Sequence, residues 1–109
     1  MSTSLISYLL TGPLMLLISI LFYAFPPKAI NHVYGYRTKR SMKNQQTWDE
    51  ANRYANKLML WFFIAITVIE GLIFLFVSYQ TGLTIASAMI VLALILVVML
   101  TERHLKKSF

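Results

Sequence analysis

Two places in this chain put chemically capable side chains in unusual surroundings. The first is Glu70, an acid alone in the apolar run Leu58 to Tyr79. A carboxyl in hydrocarbon is costly unless it is neutral or paired, so its presence marks a candidate functional group. No basic residue lies near it in depth, so it is expected to carry its proton. It then serves either as glue between spans, through Tyr8, Thr11, Thr84 or Ser87, or as a group coupled to a proton or a ligand. The second place is the polar, basic stretch NHVYGYRTKRSMKNQQTWDEAN, residues 31–52, set between apolar runs. Asn31, Tyr34, Tyr36, Arg37, Thr38, Ser41 and Asn44 are all donors or acceptors, and Gly35 between two tyrosines suggests a turn that aims them. Asn52 follows Trp48 by four residues and shares its helical face, where a buried amide needs partners. The cluster either closes the loop against the helix or forms a ligand or partner site. Arg37, beside the turn, is expected to direct its planar fork at Asn31, Trp48 and Asn52, whereas Lys39, Arg40 and Lys43 lie in an open, solvated stretch.

The elements that hold these groups are membrane helices. Of 109 residues, 58% are hydrophobic and 13% charged, far below the roughly 25% charged residues of soluble domains. Three runs carry the excess, at about 5–25, 58–79 and 83–100. Each reaches the roughly 20 residues that cross about 30 Å of hydrocarbon. An all-α, polytopic fold of three transmembrane helices in one domain, residues 1–109, follows, because lipid leaves backbone polar groups no partner outside their own helix. The first run has no Lys or Arg before it and ends in AFPPK, so it reads as a retained span and not a cleaved signal. It should bend near Pro13 and stop at Pro26 and Pro27. Thr47 with Glu50 three residues later reads as a capping box, starting one helix from Trp48 to Tyr79 whose first part projects from the bilayer. On that part Trp48, Ala51, Ala55, Leu58 and Met59 face inward, with Asp49, Glu50, Arg53, Asn56 and Lys57 mostly elsewhere. Met15, Met59, Met89 and Met99 read as packing residues.

All ten Lys and Arg fall either in the connection 26–57 or after the third span. Three spans bring those two segments to one side, so the positive-inside rule predicts a plasma-membrane protein with its N-terminus outside and its C-terminus in the cytoplasm. The formal net charge of +6 is accounted for by topology and by attraction to anionic lipid, and nucleic acid is not an expected partner. There is no cysteine, no HExxH and no Ser/His/Asp pattern. His32 and His104 have no ligand spacing, so neither an enzyme nor a metal or other cofactor is expected.

The stretch PPKAINHVYGYRTKRSMKNQQTWDEANRYANKL resembles the signature of the SdpI family, membrane proteins named for immunity to a secreted sporulation-delaying peptide toxin. The matching positions are Asn31, Gly35, Tyr36, Arg37, Thr38, Ser41, Asn44, Trp48 and Asn52. Larger members carry an additional N-terminal membrane region, and the resemblance implies that this chain is the three-span module. It also implies resistance to a membrane-active antimicrobial peptide in a bacterial cell membrane, by binding the toxin or modulating its target, with a membrane or regulatory protein as a further possible partner. Two other classes stand beside it. One is a small proton-coupled exporter using Glu70, although such exporters have four spans and weak charge bias. The other is a structural membrane subunit.

Overall fold

Caps and breakers divide the chain into elements. The computed structural model describes residues 2–109, and among them it contains four helices and no strand: α1 (Thr3–Thr11), α2 (Pro13–Ala24), α3 (Gln45–Phe76) and α4 (Tyr79–Ser108). α1 and α2 are two halves of the first span. The Gly12 N–H still reaches the Tyr8 carbonyl at 2.9 Å. Pro13 has no N–H for the carbonyl of Leu9, so the helix breaks at the expected place. Pro13 then occupies the first position of α2, where the missing donor does no harm. The second stop is also as expected, with α2 ending at Ala24 ahead of Pro26 and Pro27.

Three helical segments are long and apolar enough to cross a membrane: Thr3–Ala24, Gln45–Phe76 and Tyr79–Ser108. At about 1.5 Å per residue, α3 and α4 are roughly 45 to 48 Å long and exceed the hydrocarbon thickness of about 30 Å. Both therefore overhang the bilayer. Leu10, Leu17, Trp61, Leu72, Leu92 and Met99 are exposed along the bundle, as side chains facing acyl chains must be. The chain is a multi-pass membrane protein.

α3 packs on α4 over most of its length, α2 lies on α3, and α1 lies mainly on α4. The first span thus crosses from one partner to the other at Gly12, where a Cβ would come within 3.3 Å of Thr67 Cα. Phe63, Ile66 and Ala93 form the mid-bundle core, with Met15, Leu16, Met59, Phe62, Met89 and Ile90 packed around it. Three of the four methionines named above pack there, whereas Met99 faces outward.

Three boundaries differ from the expected ones. α3 begins at Gln45 and not Trp48, because Asn44 is the N-cap: its Oδ1 accepts from the Thr47 N–H at 2.9 Å, and Thr47 Oγ1 accepts from the Asn44 N–H at 3.1 Å. Asparagine caps better than threonine, and Thr47 completes the box from its third position. Glu50 turns instead to Arg53 and His104. α3 ends at Phe76, not Tyr79, since Ser78 caps α4 and shortens the connection to Val77 and Ser78. α4 continues past Leu100 to Ser108, with Lys106 and Lys107 at the negative end of its dipole.

What joins α2 to α3 follows from the two prolines. Pro26 cannot donate to the carbonyl of Phe22, so that acceptor needs another donor. Asn56 provides it, from Nδ2 at 3.2 Å, and is buried, although its pattern placed it away from the inward face. Asn56→Leu is expected to keep the helix but leave the Phe22 carbonyl unpaired, lowering stability by about 1 to 3 kcal/mol. The unfolding midpoint in detergent measures this, and an unchanged midpoint would mean that Phe22 has another donor.

Candidate functional site

The connection between α2 and α3 is a folded lid over the overhanging start of α3. Gln45, Trp48, Asn52 and Asn56 recur at intervals of three, four and four and so make one stripe on α3. Gln45 Nε2 donates to the Lys28 carbonyl at 2.6 Å, and Trp48 Nε1 to the Pro27 carbonyl at 3.0 Å. Asn52 takes both backbone groups of Tyr36. Its Oδ1 accepts from the Tyr36 N–H at 2.7 Å, and its Nδ2 donates to the Tyr36 carbonyl at 3.3 Å and the Trp48 carbonyl at 3.0 Å. Trp48 and Asn52 are buried, as are Ala51 and Ala55 on the same face.

Gly35 makes this possible. Its φ of +100° suits glycine, and an added Cβ would lie 2.6 Å from Asn52 Oδ1 and strike the ring of Pro27. Asn31 shapes the preceding turn, its Oδ1 accepting from the N–H groups of Val33 and Tyr34 at 2.9 and 2.6 Å. The Tyr34 hydroxyl donates to the Phe25 carbonyl, and its ring meets Phe22 edge to face at 5.0 Å. Thr38 and Ser41 bond each other reciprocally, Thr38 N–H to Ser41 Oγ at 2.8 Å and Ser41 N–H to Thr38 Oγ1 at 3.1 Å. Ser41 is buried, and Thr47 Oγ1 reaches its carbonyl at 3.3 Å.

The pattern that defines the SdpI/YfhL protein family matches residues 28–101, which contain all of this lid. The uncharacterized protein YfhL of Bacillus subtilis (strain 168) is 44% identical over 105 residues, 90% of this chain and 84% of that one. The chain belongs to the SdpI/YfhL family. No solved structure matches it.

The nine family-motif positions divide by what they touch. Gly35, Tyr36, Trp48 and Asn52 meet at one point, and Thr38, Ser41 and Asn44 form the step from the lid into α3. Asn31 builds its own turn one layer out. Arg37 does not reach Asn31, Trp48 or Asn52. The Oδ1 atoms of both asparagines already accept backbone N–H groups, and the exposed guanidinium donates to the His32 carbonyl.

Residues outside the family motif complete the closure. Glu102 on α4 accepts from the Tyr36 hydroxyl at 2.8 Å and from Arg40 Nε at 3.1 Å, so Arg40 is an anchor and not an open loop charge. A second tie joins α3 to α4, with Glu50 bonded to Arg53 and, at 2.9 Å, to His104, on whose ring Tyr54 stacks at 4.1 Å. Their signal was available only as complementary charge, since TERHLKK and the loop lie at the same end. Burial first, then the hydrogen bond and charge of Glu102, push the Tyr36 phenol well above the usual tyrosine range.

Two openings flank Asn56. One, of about 450 Å³, is lined by Tyr23, Pro27, Lys28, Asp49, Asn52 and Arg53 among others. The other, of about 300 Å³, has Gly35, Tyr36, Arg37 and Thr38 at its polar end and Phe22, Met59, Leu94, Val97 and Val98 along its apolar walls.

Gly35→Ala is expected to lose about 3 kcal/mol or to fail to fold. Gly71→Ala, whose Cβ would make an ordinary 3.4 Å contact with the Tyr8 hydroxyl, is the tolerated control in the same unfolding measurement. Tyr36 makes a second prediction. The unfolded chain releases its phenolic proton near pH 10 while the folded chain retains it, so this contribution to stability is complete below pH 10 and declines as the pH rises further. Tyr36→Phe should flatten that alkaline decline, which unfolding midpoints across pH will show.

Proposed function

We propose that the protein protects a cell membrane against a membrane-active peptide, by binding the peptide or by modulating what the peptide acts on. Membership of the SdpI/YfhL family supports the general class. The observation that carries the reading is the groove between the lid, α2, α3 and α4. Its polar end holds Arg37, whose fork has N–H groups left beyond the one on His32, and its walls are apolar and open toward lipid. Such a groove suits an amphipathic peptide lying at headgroup depth, with an acidic or C-terminal carboxylate group on Arg37 and apolar side chains against Leu94 and Val98.

The orientation proposed with it puts the basic end, with the lid, in the cytoplasm and the N-terminus outside, because Lys and Arg gather at that end. Anionic lipids then surround the lid, and Lys39 and Lys43 interact with their headgroups.

The test is survival under challenge with secreted membrane-active peptides. Cells expressing the parent chain should outlive cells lacking it. Arg37→Lys, at parental protein level, should lower the tolerated dose by about tenfold, the equivalent of one lost charge-assisted hydrogen bond. Arg40→Lys, which keeps a cation beside Glu102, should stay close to the parent. A parent chain that confers no protection against any such peptide would sink this reading, and equal behaviour of the two variants would remove Arg37 from it.

A further inference from the structure

Glu70 is fully buried, and among the described residues neither of its carboxyl oxygens has a hydrogen-bond partner. The hydroxyls expected to serve it are engaged elsewhere. Tyr8 donates to the Thr67 carbonyl at 3.2 Å, Thr11 to Ser7, Thr84 to Gln80 and Ser87 to Leu83. A structural glue without bonds is no glue, and an unpaired buried carboxyl only costs the bundle stability. The group is therefore placed for a donor that none of the described residues supplies.

Its surroundings show where such a donor would sit. Thr67, Glu70, Gly71 and Phe74 share one face of α3. Thr67 and Gly71 meet Tyr8 of α1, and Phe74 meets both Tyr8, edge to face at 6.1 Å, and Gly82 of α4. Glu70 thus lies in the junction of α1, α3 and α4. Ser7 on α1, and Gly82 and Ala86 on α4, are small and buried. The element that covers it is α1, nine residues joined to the rest through Gly12 and Pro13, where the helical bonding is already interrupted. Its side-chain latch is the Tyr8 hydroxyl on Thr67.

We propose that Glu70 is the acceptor of a ligand site beneath α1, and that the ligand is an ammonium group carried on an apolar molecule. An ammonium supplies the missing donors and the opposite charge together, and the rings of Tyr8 and Phe74 on the same face favour a cation. Along α3 the nearest basic residue is Lys57, about 20 Å away. Glu70 is fully buried within a membrane-spanning helix, so the rest of the ligand must be lipid-soluble. The site is separate from the lid groove and does not depend on protection against peptides.

The experiment uses the whole chain in lipid nanodiscs with dicyclohexylcarbodiimide, which modifies carboxyls reachable from the apolar phase, read by mass spectrometry. Glu70 should be labelled, and Glu70→Gln should not be. N,N-dimethylhexylammonium should slow the labelling several-fold while hexanol does not, and Tyr8→Phe should speed it several-fold by removing the latch. Equal slowing by the ammonium and hexanol overturns the ligand class. A Glu70 that stays unlabelled in both the parent and Tyr8→Phe overturns the site itself.

Discussion

The stop at Pro26 and Pro27 sets the problem that the rest of the basic end solves. A helix ending in lipid-facing surroundings leaves carbonyls without donors, and two successive prolines remove the N–H groups that would have served Phe22 and Tyr23. The stripe Gln45, Trp48, Asn52 and Asn56 on α3 answers with side-chain donors. Three of them take carbonyls of Lys28, Pro27 and Phe22, and the fourth grips the turn at Tyr36. Because each donor must meet a carbonyl at a set height on a rigid helix, the lid has little freedom. Gly35 must approach Asn52 closely, Tyr36 is directed at Glu102, and Asn44 must cap α3 where the stripe begins.

The two ends of the bundle are consequently unlike. At the basic end the motif amides and hydroxyls have partners, and the Arg40–Glu102 ion pair and the His104–Glu50 hydrogen bond tie α4 to the lid and to α3. These contacts are partly exposed and each is worth little alone, so the closure rests on the backbone-directed amides. At the opposite end, packing on α4 and the Tyr8 hydroxyl hold α1 beside a carboxyl that has no partner among the described residues. Local stability should follow this gradient, since buried hydrogen bonds raise the cost of opening and their lack lowers it.

Much of the fold was legible in the sequence because its determinants are local. Apolar run length, the breakers at Pro13 and Pro26–Pro27, and the inward face of Trp48, Ala51 and Ala55 need no knowledge of what lies across the bundle. The turn at Gly35 and the burial of Asn52 were legible for the same reason. Two misread helix boundaries are set by the local caps Asn44 and Ser78, whereas the misread side chains chiefly concern partners distant in sequence. Asn56 was assigned to an outer face because helical periodicity ranks residues by polarity, whereas its burial follows from a carbonyl 34 residues earlier. Arg37 was aimed at amides that the backbone had already occupied. Glu102 and Arg40 meet across 62 residues. Polar groups inside such a bundle are placed by what they bond, and that depends on the register of helix against helix, which composition does not carry.

The contrast between the ends also bears on how motion at one is kept from the other. α2 is fixed to α3 by Asn56 at its end and by the core residues Met15 and Leu16 at its start. α1 departs at Gly12, where the backbone bonding of the first span is interrupted at Pro13. A rotation there would change the packing of nine residues against α4 without requiring α2, whose end carries the Phe22 carbonyl held by Asn56, to move. Had the first span been one unbroken helix, displacing its N-terminal half by a few ångströms would have tilted its C-terminal half against the α3 stripe. Hydrogen bonds at 2.6 to 3.3 Å do not tolerate such a shift. The break at Gly12 and Pro13 therefore does more than bend a helix. It lets two halves with different packing partners belong to the same span, so that the α3 stripe and the buried carboxyl on the same helix answer to different constraints.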